Sequence, residues 1–96
     1  MRTAIVAVLC IVILSTAAFA RIPRSHASVA EFKRYNPCPA TGAQRGACPN
    51  WEVDHVIPLC AGGPDTPDNM QWLTKSDHRQ KTRLDVMHCR LKREGQ

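Results

Sequence analysis

The chain is poor in the material of a large hydrophobic core. Aromatic residues are 5% of its 96 positions. No apolar run reaches the roughly 20 residues that a membrane-spanning helix needs. No two cysteines stand as C-x-x-C, so no zinc knuckle of the usual spacing is visible. There is no internal repeat. These absences exclude a large multidomain enzyme, a membrane transporter and a coiled coil, and a long disordered tail is not expected. The length allows one domain.

The hydrophobic fraction of 44% is concentrated at one end. Met1-Arg2 precedes an uncharged run, Ala4–Ala18, and Ala18-Phe19-Ala20 gives a small-x-small site. A positive start, a short apolar stretch and that site predict a secretory signal peptide over residues 1–20. The other reading is an uncleaved anchor. The expected domain is 21–96, exported to the periplasm or secreted, with no stable membrane association after cleavage. The whole chain carries a formal charge of +5, and losing Arg2 leaves it basic. Excess positive charge suits a polyanionic partner.

Five cysteines are an odd set, but Cys10 lies in the leader. Cys38, Cys48, Cys60 and Cys89 remain. An even set in a small exported domain argues for disulfides. Three pairings are open, and the expected one is Cys38–Cys48 with Cys60–Cys89. Each bridge could add about 2–4 kcal/mol.

The order of elements reads helix, loop, strand, loop, strand, helix. Ser28 followed by Glu31 resembles a capping box, and predicts a short helix ending at Asn36-Pro37. The segment Arg21–His26 reads as frayed. Pro37 to Asn50 is loop. Trp51–Ile57 alternates with β-branched and aromatic content, and Pro58 stops it. Ala61 to Asp68 is turn-rich, with Gly62-Gly63 as turn chemistry. Met70–Thr74 is a second strand. Ser76 is the expected cap of a helix running to about Arg93. On that helix His78, Thr82, Asp85 and Cys89 share one face, directed at the strands. Leu84, Met87 and Leu91 share another, expected to pack on the first helix. Arg79, Arg83 and Arg90 form a stripe between them. Trp51 and Trp72 are read as core.

The chemistry-bearing residues lie between Asp54 and His78. A carboxylate and an imidazole are suitable ligands for one divalent metal. A further imidazole beside them suits a general base, since the ordinary histidine pKa is near 6.5. Adjacent strand residues point to opposite faces, so Asp54 and His55 need a kink or bulge to share a site.

The segments VDHVIPLCAGG, DNMQWLT and DHRQKT, in that order, resemble the HNH endonuclease family. The likeness covers about Trp51 to Thr82. It implies an α+β fold, a small ββα-metal (His-Me) finger spanning about 51–93, here with a short N-terminal and a longer C-terminal helix stapled by disulfides. It implies Asp54 and His78 as metal ligands and His55 as the base that activates the attacking water. Asn69 would hold the loop across the finger and so orient His55. One divalent ion is the family habit. Mg²⁺ is the default, and the histidines would also accept Mn²⁺, Ni²⁺ or Zn²⁺. Many members carry C-x-x-C before the third motif residue. Here Thr74 and Asp77 stand in those places, so that zinc is absent.

The function expected is metal-dependent hydrolysis of phosphodiester bonds in DNA, with RNA as a further substrate. The alternatives are a non-catalytic nucleic-acid-binding module on the same finger, or a disulfide-stapled interaction domain. Arg79, Lys81 and Arg83 are candidate phosphate contacts. His26 and His88 match no motif position. No protein partner is implied.

Overall fold

Residues 22–95 are described by the computed structural model. The leader expected over 1–20 lies outside the described residues. The elements are α1 (His26–Tyr35), β1 (Trp51–His55), β2 (Met70–Thr74) and α2 (Lys75–Glu94). Two short 3₁₀ turns, Leu59–Ala61 and Pro67–Asn69, lie in the connection between the strands.

β1 and β2 form an antiparallel pair whose register runs from Trp51 opposite Thr74 to His55 opposite Met70. α2 follows β2 directly and packs on both strands and on the first 3₁₀ turn. This is an α+β fold of the ββα-finger type, with α1 added on the side of the second 3₁₀ turn. Among the described residues no helix is long and apolar enough to cross a membrane.

Both helix starts lie upstream of the expected caps. Ser25, rather than Ser28, caps α1, its hydroxyl accepting the Ser28 N–H at 3.1 Å. Thr74, rather than Ser76, caps α2 by accepting the Asp77 N–H at 3.1 Å. A threonine leaving a strand in extended geometry is already in cap conformation. The helix therefore begins with no linker. Thr74 and Asp77, the pair named above in place of cysteines, thus close the first turn of the helix.

The buried apolar set is small: Phe32, Cys38, Ala61, Met70 and Cys89. Phe32 meets Trp72 at 5.8 Å between ring centroids, and Trp72 Nε1 donates to Asn36 O at 2.8 Å. Both disulfides form as expected, Cys38–Cys48 and Cys60–Cys89, with Cα separations of 5.6 and 5.5 Å. The first closes the loop before β1, and the second ties the first 3₁₀ turn to α2.

One packing expectation fails. Leu84, Met87 and Leu91 are not buried against α1 but are 67%, 58% and 59% exposed. α1 sits against Pro67–Asn69 and Trp72 instead. The disulfide face of α2, carrying His78 and Cys89, takes the only side of the helix that the strands cover. Of the segment read as frayed, Ser25 and His26 instead form the start of α1, while 22–24 are exposed and outside any regular element. Ile22, Pro23 and Arg24 run along the cleft below, and Ser25 N–H is bonded across to Asp65.

Candidate active site

Asp54 lies one residue from the end of β1 and is 5% exposed. Its two oxygens have different surroundings. Oδ2 is held by Gln71 Nε2 at 3.1 Å and Lys81 Nζ at 3.1 Å. Oδ1 faces His78 Nε2 at 3.5 Å. Gln71 stands opposite Asp54 in the strand register, so the sheet itself supplies one of these anchors.

His78 enters from the first turn of α2. Its Nδ1 is bonded to the Glu52 carboxylate. A carboxylate only accepts, so Nδ1 carries a proton, and Nε2 is the nitrogen turned toward Asp54 Oδ1. Glu52 precedes Asp54 by two residues and so lies on the same strand face. A carboxylate behind a ligating imidazole is the common way of fixing that ring.

An imidazole nitrogen and a carboxylate oxygen facing each other at 3.5 Å can share a cation. Ligands about 2.1 Å from one ion stand roughly 3–3.5 Å apart. The donor set therefore fits a divalent metal held by Asp54 and His78. No group of three or more metal-binding side chains occurs among the described residues. A two-ligand site leaves further positions to water and phosphate oxygens, as hard cations commonly require.

Lys81 is not on the exposed basic stripe. It is half-buried, donating to His55 O at 2.9 Å and Asp85 Oδ2 at 2.6 Å as well as meeting Asp54. Burial alone would lower its pKa, but the hydrogen bonds and charges of Asp85 and Asp54 outweigh it and hold the ammonium above its usual value. Arg79 and Arg83 are exposed.

His55 closes β1 and is 8% exposed. Its Nε2 lies 2.8 Å from Asp65 Oδ1. No bulge interrupts the register before it. The chain bends only at Val56-Ile57, after the last paired residue. Asp54 turns to α2 and His55 to the loop, as alternation demands, yet both border one cleft of about 730 Å³ because the strand stops there. His78, Thr82 and Asp85 line it from α2, Pro23 and Arg24 from the chain leading into α1, and His26 from the first residue of α1.

Asn69 sits behind the cleft, 7% exposed. Its Oδ1 accepts Ile57 N–H at 3.0 Å, and Nδ2 donates to Ile57 O and Pro64 O, each at 2.9 Å. Its own carbonyl accepts Val56 N–H at 2.8 Å. It thus clamps both ends of the loop that leaves His55. Gly63 makes this possible, because a Cβ there would stand 1.9 Å from Ile57 O.

Glu52, Asp65 and the inward turn of Lys81 were not anticipated from sequence. Glu52 had a signal, the i, i+2 spacing from Asp54. Asp65 had none, since only the path of the loop brings it to His55.

The family model described as HNH endonuclease matches residues 37–84, half of the chain. This chain belongs to the HNH endonuclease family. The match begins upstream of Trp51, so the HNH segment includes the Cys38–Cys48 loop as well as both strands and the first half of α2. No curated protein and no solved structure matches the chain. HNH membership brings a nuclease-type action on nucleic acid and, in general, the use of a divalent metal.

Proposed function

We propose that this protein is a metal-dependent endonuclease that hydrolyses phosphodiester bonds of DNA, and of RNA to the extent that its open cleft admits it. The observation that carries this reading is the pairing of Asp54 Oδ1 and His78 Nε2 at 3.5 Å beside His55 in one cleft. A divalent cation, Mg²⁺ by default for a carboxylate-containing site, would supply charge stabilisation to the phosphate oxygens when bound.

The chain's own residues do the rest. His55 takes a proton from the water whose oxygen attacks phosphorus, as the P–O bond to the leaving strand breaks. Asn69 keeps the loop after His55 fixed, and Glu52 keeps the His78 ring turned toward Asp54. Lys81 offsets the buried negative charge of Asp54. Arg79 and Arg83, exposed on α2, would meet phosphates, and contacts of that kind give affinity without sequence preference. A single finger acts on one strand at a time, so the expected product is a nick. We also propose that the protein is exported, supported by the two disulfides, which persist in oxidising compartments.

The test is nicking of supercoiled plasmid by the purified, disulfide-bonded protein with Mg²⁺, Mn²⁺, Ni²⁺ or Zn²⁺, or with chelator. Metal-dependent nicking is expected, lost under chelator. His55→Ala should lower the rate about 10²–10⁴-fold in a protein that still melts cooperatively. A folded, oxidised sample that nicks with none of the metals would overturn the reading.

A further inference from the structure

Asp65 lies outside the set of residues to which any role has been given so far. It stands in the loop between the 3₁₀ turns and reaches two partners at once. Oδ1 is 2.8 Å from His55 Nε2. Oδ2 accepts the backbone N–H of Ser25 at 2.6 Å, across 40 positions of sequence. The side chain of Asp65 is 23% exposed and that of His55 9%. The hydrogen bonds from His55 and Ser25 hold the Asp65 carboxyl below the usual carboxylate range. It is therefore ionised and can only accept.

A partner that only accepts fixes a histidine's tautomer. With Nε2 donating to Asp65, the neutral His55 ring has its lone pair on Nδ1. Among the described residues Nδ1 makes no hydrogen bond, so it is the nitrogen left to face a water in the cleft. We propose that Asp65 is a positioning residue for His55. It holds the ring as the Nε2–H tautomer and so makes Nδ1 the proton acceptor, while Ser25 N–H fixes the orientation of Asp65 itself. The proposal rests on the nuclease reading for its functional meaning. It adds the N-terminal strap to the apparatus that aims the base.

The Ser25 contact makes the proposal sharp. A backbone N–H cannot change into an acceptor. In Asp65→Asn the carboxamide must therefore turn its oxygen to Ser25 and its NH₂ to His55. The NH₂ then needs an acceptor at Nε2, which drives the proton to Nδ1 and removes the base from the cleft side. In Asp65→Ala no such force exists. The ring keeps its intrinsic preference for Nε2–H and loses only orientation. The more conservative substitution is thus the more damaging one, the reverse of what a merely structural salt bridge gives. An asparagine that imposes the wrong tautomer has a known precedent of about 10⁴-fold in a serine protease triad.

Wild type, Asp65→Asn and Asp65→Ala would be compared in disulfide-bonded form, with melting curves to establish that each is folded. Long-range proton–nitrogen correlation of ¹⁵N-labelled protein reads the ring, the His55 signals being assigned by their loss in His55→Gln. Expected are Nε2–H for His55 in wild type and Asp65→Ala, and Nδ1–H in Asp65→Asn. In Mg²⁺-dependent plasmid nicking, kcat should fall 10²-fold or more in Asp65→Asn and less than about 10-fold in Asp65→Ala, with KM little changed in both. A wild-type ring that is Nδ1–H or doubly protonated at neutral pH would overturn the proposal. So would an unaltered ring in Asp65→Asn, or Asp65→Ala being as inactive as Asp65→Asn. The ring spectrum requires no turnover. If wild type cuts nothing, the nuclease reading fails while the tautomer result still decides the role of Asp65.

Discussion

Gly63 occupies a place where one methyl group would collide with backbone. A Cβ there would lie 1.9 Å from Ile57 O and 2.9 Å from Asn69 Nδ2. Neither the carbonyl nor the buried amide can withdraw without opening the clamp on the loop after His55. Gly63→Ala should lower stability by about 2–3 kcal/mol, as overpacking of a closed site does, and this is read from the urea midpoint. An unchanged midpoint would show that the loop is freer than its hydrogen bonds indicate. At this scale the motif residues Asp54, His55, Asn69 and His78 were legible in the sequence, because each is a chemically distinctive side chain at family spacing. Their partners were not. Glu52 and His78 are 26 positions apart, as are Lys81 and His55. Gly63 was readable as a turn residue, but not as a residue on which Asn69 depends.

Caps decide where the helices begin, and both begin earlier than the local pattern suggests. Thr74 ends β2 and caps α2 in the same residue, so strand and helix meet without a linker and His78 falls in the first turn. Thr74→Ala should cost about 1 kcal/mol in urea denaturation. Ser76→Ala, at an exposed position inside the helix, should cost less than about 0.5 kcal/mol. Equal effects would mean that the cap is shared. The strands were legible to within two residues, since Met70–Thr74 is observed as expected and β1 stops at His55 rather than Ile57. Val56 N–H still bonds Asn69 O in register, but Asn69 N–H is taken by Thr66 O and its side chain takes the Ile57 N–H and carbonyl, so the ladder ends there. The apolar stripe Leu84, Met87 and Leu91 was legible as a stripe, but the element it would cover was not.

Among the described residues five apolar residues are buried and three polar ones, Asp54, His55 and Asn69. A domain this small has little hydrophobic stabilisation to spare, so the disulfides carry a large share. Cys60–Cys89 closes a loop with a sequence separation of 29 and Cys38–Cys48 one of 10. Chain-entropy arithmetic gives about 3.5 kcal/mol for the first and about 2.5–3 kcal/mol for the second, against a typical total of about 5–15 kcal/mol. Replacing Cys60 and Cys89 together by serine should therefore lower the melting temperature more than replacing Cys38 and Cys48. It should also cost more nicking activity, since that bridge and the Lys92 Nζ bond to Ala61 O at 2.5 Å both fix the loop to α2. The opposite order in thermal melts would show that the loop before β1 is the weaker part.

Sequence alone determined the order of elements and the second strand, favoured the cysteine pairing that is observed, and picked out four motif residues as candidates. These depend on composition, on neighbours within a few positions and on recurrent spacing, all of which are written along the chain. Tertiary structure decided the rest. It chose which carboxylate stands behind each histidine, turned Lys81 inward to Asp54, left the apolar stripe of α2 in solvent and laid the N-terminal strap across to Asp65. Those outcomes depend on how the loops close in space. Segments 26 or 40 positions apart meet where the paired strands and the disulfides set the path of the chain between them.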